Sequence, residues 1–216
     1  MESDHTLKSR NPAATERRRP NHHENPMKKS IITALFLGCL IARSAIAADT
    51  YELDPVHSFV LFKVSHLGAG YVWGRFTGGL SGTVSTDPAA PEKSEVAVQV
   101  KTDTLDTGFA QRDKDIKSPD FLNAKQFPVV TFKSTSVQKV SDQLYSVTGD
   151  LNFHGVTKPI TVQANITGQG KGPKGEVRTG VEVHFTVKRS DFGVKYGLPA
   201  LGDDVEMIVN AEGIRK

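Results

Sequence analysis

The chain has 216 residues, and its 27 Lys+Arg against 24 Asp+Glu give a formal charge of +3. That surplus belongs to the N-terminus: residues 1–47 hold eight of the basic and four of the acidic side chains, leaving 19 against 20, formally −1. That balance gives no support for a nucleic-acid footprint, which needs a clustered basic face. The chain's single cysteine, Cys39, lies inside the same N-terminal segment, which excludes disulfides, thiolate metal sites and a cysteine nucleophile from the rest.

Lys28-Lys29, a largely apolar run over 31–42 and then Ala45-Ile46-Ala47 follow the order of a secretory signal peptide: basic region, apolar core, small-residue cleavage site. It is expected to span 27–47 and to be cleaved after Ala47. The run is short and is broken by Arg43, so a membrane-spanning helix is not expected. Met27 stands directly before the basic region, and residues 1–26 are read as an upstream misassignment of the start. Residues 48–216 amount to one domain, of a size that buries roughly two-thirds of its unfolded surface.

From there the chain alternates apolar and polar side chains with period two, as half-buried strands do. Residues 50–53 form a short strand ended by Asp54-Pro55. Over 57–66, Val60, Phe62, Val64 and His66 share one face with Ser58. Phe59, Leu61 and Lys63 share the other, and Phe59, Leu61 and Trp73 are expected to form a second packing surface, such as a homodimer contact. Residues 72–77 place Val72, Gly74 and Phe76 together, after which Gly78, Gly79 and Gly82 allow a bend or bulge. A surface loop follows at 87–91. Val96, Val98 and Val100 then line a strand over 95–105.

The segment from Asp106 to Phe132 breaks the alternation. Phe109, Arg112, Asp113 and Ile116 recur at helical spacing, and Ser118-Pro119-Asp120 reads as a cap followed by proline at the first helical position. Two short helical turns are expected here, over one end of a β structure, where loops form mouths and lids. Strands resume at 129–137, 144–153 and 160–167, the last two joined through residues 154–159. Strands at 177–187 and 205–211 follow, with Arg189-Ser190-Asp191-Phe192-Gly193 interrupting the pattern between them.

Eight or nine strands at hairpin spacing with no βαβ alternation predict an all-β, antiparallel barrel of about eight strands with one short helical insertion. A closed sheet suits the glycine bends better than two flat layers, and eight strands enclose room for side chains or for one ligand. The faces carrying Val60, Phe62, Val64, Phe76, Val98, Phe132, Leu151, Phe153, Val162, Val183 and Phe185 must point inward. The pattern leaves open whether they fill the interior or line a hollow.

Four histidines lie beyond residue 47: His57, His66, His154 and His184. None has the spacing of a metal site, and no nucleophile elbow, phosphate loop or dinucleotide fingerprint is present. No catalytic residue, metal or cofactor is assigned. His66 ends an apolar face where a barrel mouth belongs and could hydrogen-bond a ligand head group. Arg112 and Asp113 form either a salt bridge that pins the helical turn or a polar contact for a head group.

Asp54-Pro-Val-His57-Ser58, Phe62-x-Val64-x-His66, Gly74-x-Phe76, Arg112-Asp113, Ser118-x-Asp120-Phe121-Leu122, Pro128-x-x-x-Phe132-x-Ser134 and Gly149-Asp-Leu-Asn-Phe-His-Gly155-Val-Thr-Lys-Pro159 together resemble the YceI family of polyisoprenoid-binding periplasmic proteins. The resemblance runs over roughly 50–216. One departure is Asp115, where the family commonly has a histidine.

The resemblance implies a lipocalin-like barrel with an apolar tunnel, often dimeric. It implies a bound isoprenoid lipid or quinone, a periplasmic location, transient membrane contact at most, and no firm catalytic activity. The inward-facing residues above, with Phe121, would then hold the tail, and His66, Arg112 and the helical stretch would sit near the polar end. An enzyme acting on such a lipid, or a filled barrel serving as an interaction module, are the alternatives.

Overall fold

The inward apolar faces find their partners in one another, because the sheet closes on itself. The computed structural model describes residues 48–216; the expected signal peptide and the 1–26 extension lie outside the described residues. The strands are β1 (Asp49–Leu53), β2 (Phe59–His66), β3 (Gly70–Phe76), β4 (Leu80–Thr86), β5 (Glu95–Lys101), β6 (Leu105–Asp106), β7 (Val129–Lys139), β8 (Leu144–Phe153), β9 (Val156–Lys171), β10 (Val177–Lys188) and β11 (Leu201–Arg215). A single α-helix among the described residues, α1 (Ala110–Ile116), follows β6.

Hydrogen bonding runs β1–β4–β5–β7–β8–β9–β10–β11, and β11 returns to β1 at Tyr51↔Arg215 and Leu53↔Gly213, closing an eight-stranded antiparallel barrel. Eleven strands make eight staves because three staves are broken. β1 and β2 lie one after the other along the edge of the long β11, with β2 in register from Leu201↔His66 to Asn210↔Phe59. β3 pairs with β2, and β6 with β3, so they prolong the staves of β4 and β5. β7 pairs with β5 but has no ladder with β6. The chain from 107 to 127, with α1, connects the two staves at that end.

Three local expectations need correction. Residues 80–86 form a strand rather than only a glycine bend. Leu80 and Val84 are its sole large apolar positions and Gly82 between them has φ +140 with backbone of β5 pressed against it, so the alternation is too thin to read. The second helical turn is absent: Phe121 N–H donates to the Ser118 carbonyl (3.1 Å), making Pro119 the second residue of a turn, the other position its fixed φ favours. Leu122, Asn123 and Ala124 then bond back to Ile116, Ser118 and Lys117. The β8–β9 connection is two residues long, not six. His154 (φ 51) and Gly155 (φ 75) supply the left-handed pair that a tight hairpin requires.

Apolar side chains cluster in two groups on the inner wall, one around Val60, Phe62, Phe76 and Leu105, the other around Leu151, Val187 and Phe192. On the outer wall Phe59 and Trp73 stay 47% and 54% exposed, and Lys63 Nζ sits 4.7 Å from the Tyr71 ring and 5.6 Å from that of Trp73.

Candidate functional site

The barrel is hollow. A cavity of about 1010 Å³ occupies the end built by β2, β3, α1 and the loop after β10. A second, of about 440 Å³, occupies the opposite end, between the β4–β5 loop and the β7–β8 and β9–β10 hairpins. Leu151 and Phe185 line both cavities, so the two adjoin at these side chains on the inner faces of β8 and β10.

Period-two alternation places the strand candidates, and α1 with the turn after it brings in Arg112 and Phe121. Phe62, Val64, His66, Phe76, Arg112, Phe121 and Phe153 line the larger cavity. Val98, Phe132, Val162 and Val183 line the smaller, and Leu151 and Phe185 belong to both. Val60 lines neither. It is 4% exposed and packed in the cluster with Leu53, Phe76 and Leu80, at the level where the staves break. It is a core residue.

Polar groups stand at the mouth of the larger cavity. His66 ends β2, exposed, opposite Gly70 and Leu201. Arg112 and Asp113 do not pair with each other; both hold Thr107. Arg112 donates from Nε to Thr107 Oγ1 (2.8 Å) and from Nη2 to the Thr107 carbonyl (2.8 Å). Asp113 Oδ1 accepts the Thr107 N–H (2.8 Å) and hydroxyl (2.5 Å). Asp113 is therefore spent on fixing α1 to β6, while Arg112 combines that role with a place on the cavity wall. Asp115 also lines the wall, accepting from Gln111 Nε2 at 2.9 Å.

The interruption at 189–193 conceals a residue that alternation could not assign. Arg189 is 6% exposed and lines the larger cavity. Its guanidinium donates to four backbone carbonyls, those of Gly202 (2.8 Å), Val194 (3.0 Å), Tyr196 (2.8 Å) and Leu201 (3.0 Å). Burial pushes its pKa down from the usual arginine range, and nearby Asp203 opposes that shift. Asp203 is itself lowered by accepting the Ser190 N–H (2.9 Å) and hydroxyl (2.8 Å). The loop so held carries Tyr196, whose ring meets Phe121 edge-on at 5.1 Å and joins the two segments that frame the mouth.

Ligand atoms of Asp54, His57 and Glu212 lie within 4.8 Å of one another at the β1–β2 break. Arg178 stands among them, donating from Nη1 to Asp54 Oδ2 (2.9 Å) and to Glu212, so this cluster is an ion-paired clasp for the broken stave.

The YceI-like domain pattern matches residues 51–213. The YceI protein of Escherichia coli O157:H7 is 40% identical over 193 residues, 88% of this chain and 100% of that protein. Among solved structures, the Campylobacter jejuni YCEI protein is 30% identical, with a TM-score of 0.62 over 70% of this chain and 90% of its own. A polyisoprenoid binding domain from Saccharophagus degradans, implicated in plant cell wall breakdown, shares the fold at 18% identity, with a TM-score of 0.62 over 77% of this chain and 98% of that one. By sequence and by architecture alike, the chain belongs to the YceI-like family.

Proposed function

We propose that this protein is a periplasmic carrier or sequestering protein that holds an isoprenoid-tailed or other long-chain lipid, of the polyprenyl phosphate or isoprenoid quinone class, and binds rather than transforms it. The observation that carries this reading is the pair of cavities meeting at Leu151 and Phe185, with mainly apolar walls between charged ends. Membership of the YceI-like family and a fold neighbour described as polyisoprenoid binding both fit a lipid-binding role. The tail would lie along the barrel axis, with the head group at His66 and Arg112. Each methylene group withdrawn from water contributes about 0.8 kcal/mol. Net affinity falls well short of the sum, because ordering a flexible tail costs entropy. The periplasmic location rests on the signal peptide read at 27–47.

The test is native mass spectrometry of protein purified from a bacterial periplasm, followed by organic extraction and identification of the lipid. A stoichiometric isoprenoid or quinone is the expected result. A clean apo mass that stays unchanged after incubation with polyprenyl lipids would overturn the proposal.

A further inference from the structure

Resting on the lipid-binding reading, we infer that Leu151 and Phe185 form a waist at which the barrel measures tail length. A short tail is housed in the larger cavity alone, and only a longer one passes into the smaller. These two side chains are the wall residues common to both cavities. Each is buttressed from the next strand: Leu151 faces Phe132 across β7–β8, and Phe185 faces Met207 across β10–β11. The waist is thus part of the packed wall, and a tail must fit past it.

The two compartments differ in what they offer. The larger has the polar mouth, with His66, Arg112 and the buried Arg189 on its wall. The smaller has small and β-branched side chains, among them Val162, Ala164, Val183 and Ala211, and suits the plain end of a hydrocarbon tail. Along β8 it runs from Leu151 to Tyr145, which at strand rise and barrel tilt adds about 15 Å of depth. Beyond that, Asp49 and Asp142 stand at the rim, paired with Arg215 (3.3 Å) and Lys139 (2.9 Å). An ion-paired rim gives no apolar surface for a tail to follow outward. Tail length is therefore read over a finite range, from the waist to that rim.

The experiment measures the affinities of a short-tailed and a long-tailed isoprenoid quinone sharing one head group. The proteins compared are wild type, Phe185→Trp, which thickens the waist, and Ala164→Phe, which fills only the smaller cavity. In wild type the long tail should bind at least about tenfold more tightly, since two further buried methylene groups already supply that factor. Both variants should bring the long tail to within about threefold of the short one, and Ala164→Phe, whose side chain lies only on the smaller cavity, should leave short-tail affinity unchanged.

Equal weakening of both lipids by both variants would overturn the waist, as would a wild type that binds both tails alike. Wild-type protein that binds neither overturns the lipid reading and the waist with it. Thermal melts of both variants separate loss of the cavity from loss of the fold; should one variant fail to fold, the other carries the comparison.

Discussion

The ring of Phe62 fills the space over Gly74 where a side chain would stand: a Cβ there would run into Phe62 Cζ and come within 2.9 Å of Thr107 Cγ2. Phe132 does the same over Gly149, where a Cβ would lie 2.6 Å from its Cζ. Two large rings on the inner wall are thereby turned against bare backbone, and the lumen stays open beside them. Gly74→Ala should drive the Phe62 ring off the wall. Overpacking of this kind costs about 1–3 kcal/mol. For a domain of this size that is a fall in Tm of roughly 2–10 °C, accompanied by reduced capacity for an apolar fluorescent probe. An unchanged melt with unchanged probe capacity would show that the glycine does not hold the ring in place.

Phe62→Ala tests hollow against filled. In a filled core, Phe→Ala removes contacts on all sides and costs about 3–5 kcal/mol. Phe62 is 8% exposed and packs on Phe76 with ring centroids 5.9 Å apart, but its other side borders the larger cavity. A side chain with partners on one side forfeits fewer dispersion contacts, so the loss in urea denaturation should sit at or below the lower end of that range. Probe capacity should rise. A loss of 5 kcal/mol or so with no change in probe binding would argue for a filled barrel.

How much of this was legible in the sequence depends on what each feature is made of. Period-two alternation identifies Phe62, Val64, Val183 and Phe185 as inward, because a closed sheet has one place for its apolar faces. The ordered short motifs identify the family. Val60 belongs to the same alternation, yet its fate is decided by Leu53, Phe76 and Leu80 packing on it at a break in the staves. Ser118-Pro119 satisfies the rules for a helix start and for a turn equally well, and the bonds back to α1 select the turn. Arg189 binds backbone carbonyls, which no side-chain pattern announces. Whether the lumen is open turns on the direction of the Phe62 and Phe132 rings, and the only trace of that in the sequence is glycine at 74 and 149.

Arg189→Lys should loosen the loop after β10 without unfolding the barrel. A single ammonium cannot replace a planar fork that serves four carbonyls, and each buried carbonyl left unpaired costs about 1–3 kcal/mol. Hydrogen exchange is the measurement. Protection should fall at Val194 and Leu201, whose N–H groups bond to Arg189 and Gly197 carbonyls within the loop, while the β8–β9 ladder keeps its protection. Uniform loss across the barrel would mean that Arg189 supports the fold as a whole.

At the mouth, replacing His66 and Arg112 together separates carrier from enzyme. Arg112 sits on the cavity wall but spends two nitrogens on Thr107, and His66 is solvent-exposed. Exposed polar contacts of this kind should leave the apolar tail to supply most of the affinity. The double alanine variant is expected to lose roughly five- to thirtyfold in lipid affinity, about 1–2 kcal/mol. Turnover of an isoprenoid lipid by wild type, abolished by orders of magnitude in the variant, would move the reading to an enzyme.

The clasp at the β1–β2 break should set the acid limb of stability. Asp54 is 9% exposed; its Oδ1 accepts the Val56 N–H at 2.9 Å, while Oδ2 meets His57 Nδ1 at 2.8 Å and Arg178 Nη1 at 2.9 Å. The hydrogen bond from His57 is the main reason its pKa falls from 3.8 to about 2, against the opposing effect of burial. A carboxyl whose pKa is lower folded than unfolded stabilises the protein fully above the unfolded value. That contribution drains away as pH falls through the folded one. Asp54→Asn should therefore cost about 1–3 kcal/mol at neutral pH. The gap to wild type should hold constant down to about pH 4, then close between pH 4 and 2. The difference between the two proteins is the quantity to follow, because Glu176 and Asp203 are also lowered and give both the same background slope. His57→Ala should raise the Asp54 pKa and move the window upward. A wild-type-to-Asn gap that stays constant from neutral pH to pH 2 would mean that the Asp54 carboxylate, bonded as it is, contributes nothing through its charge.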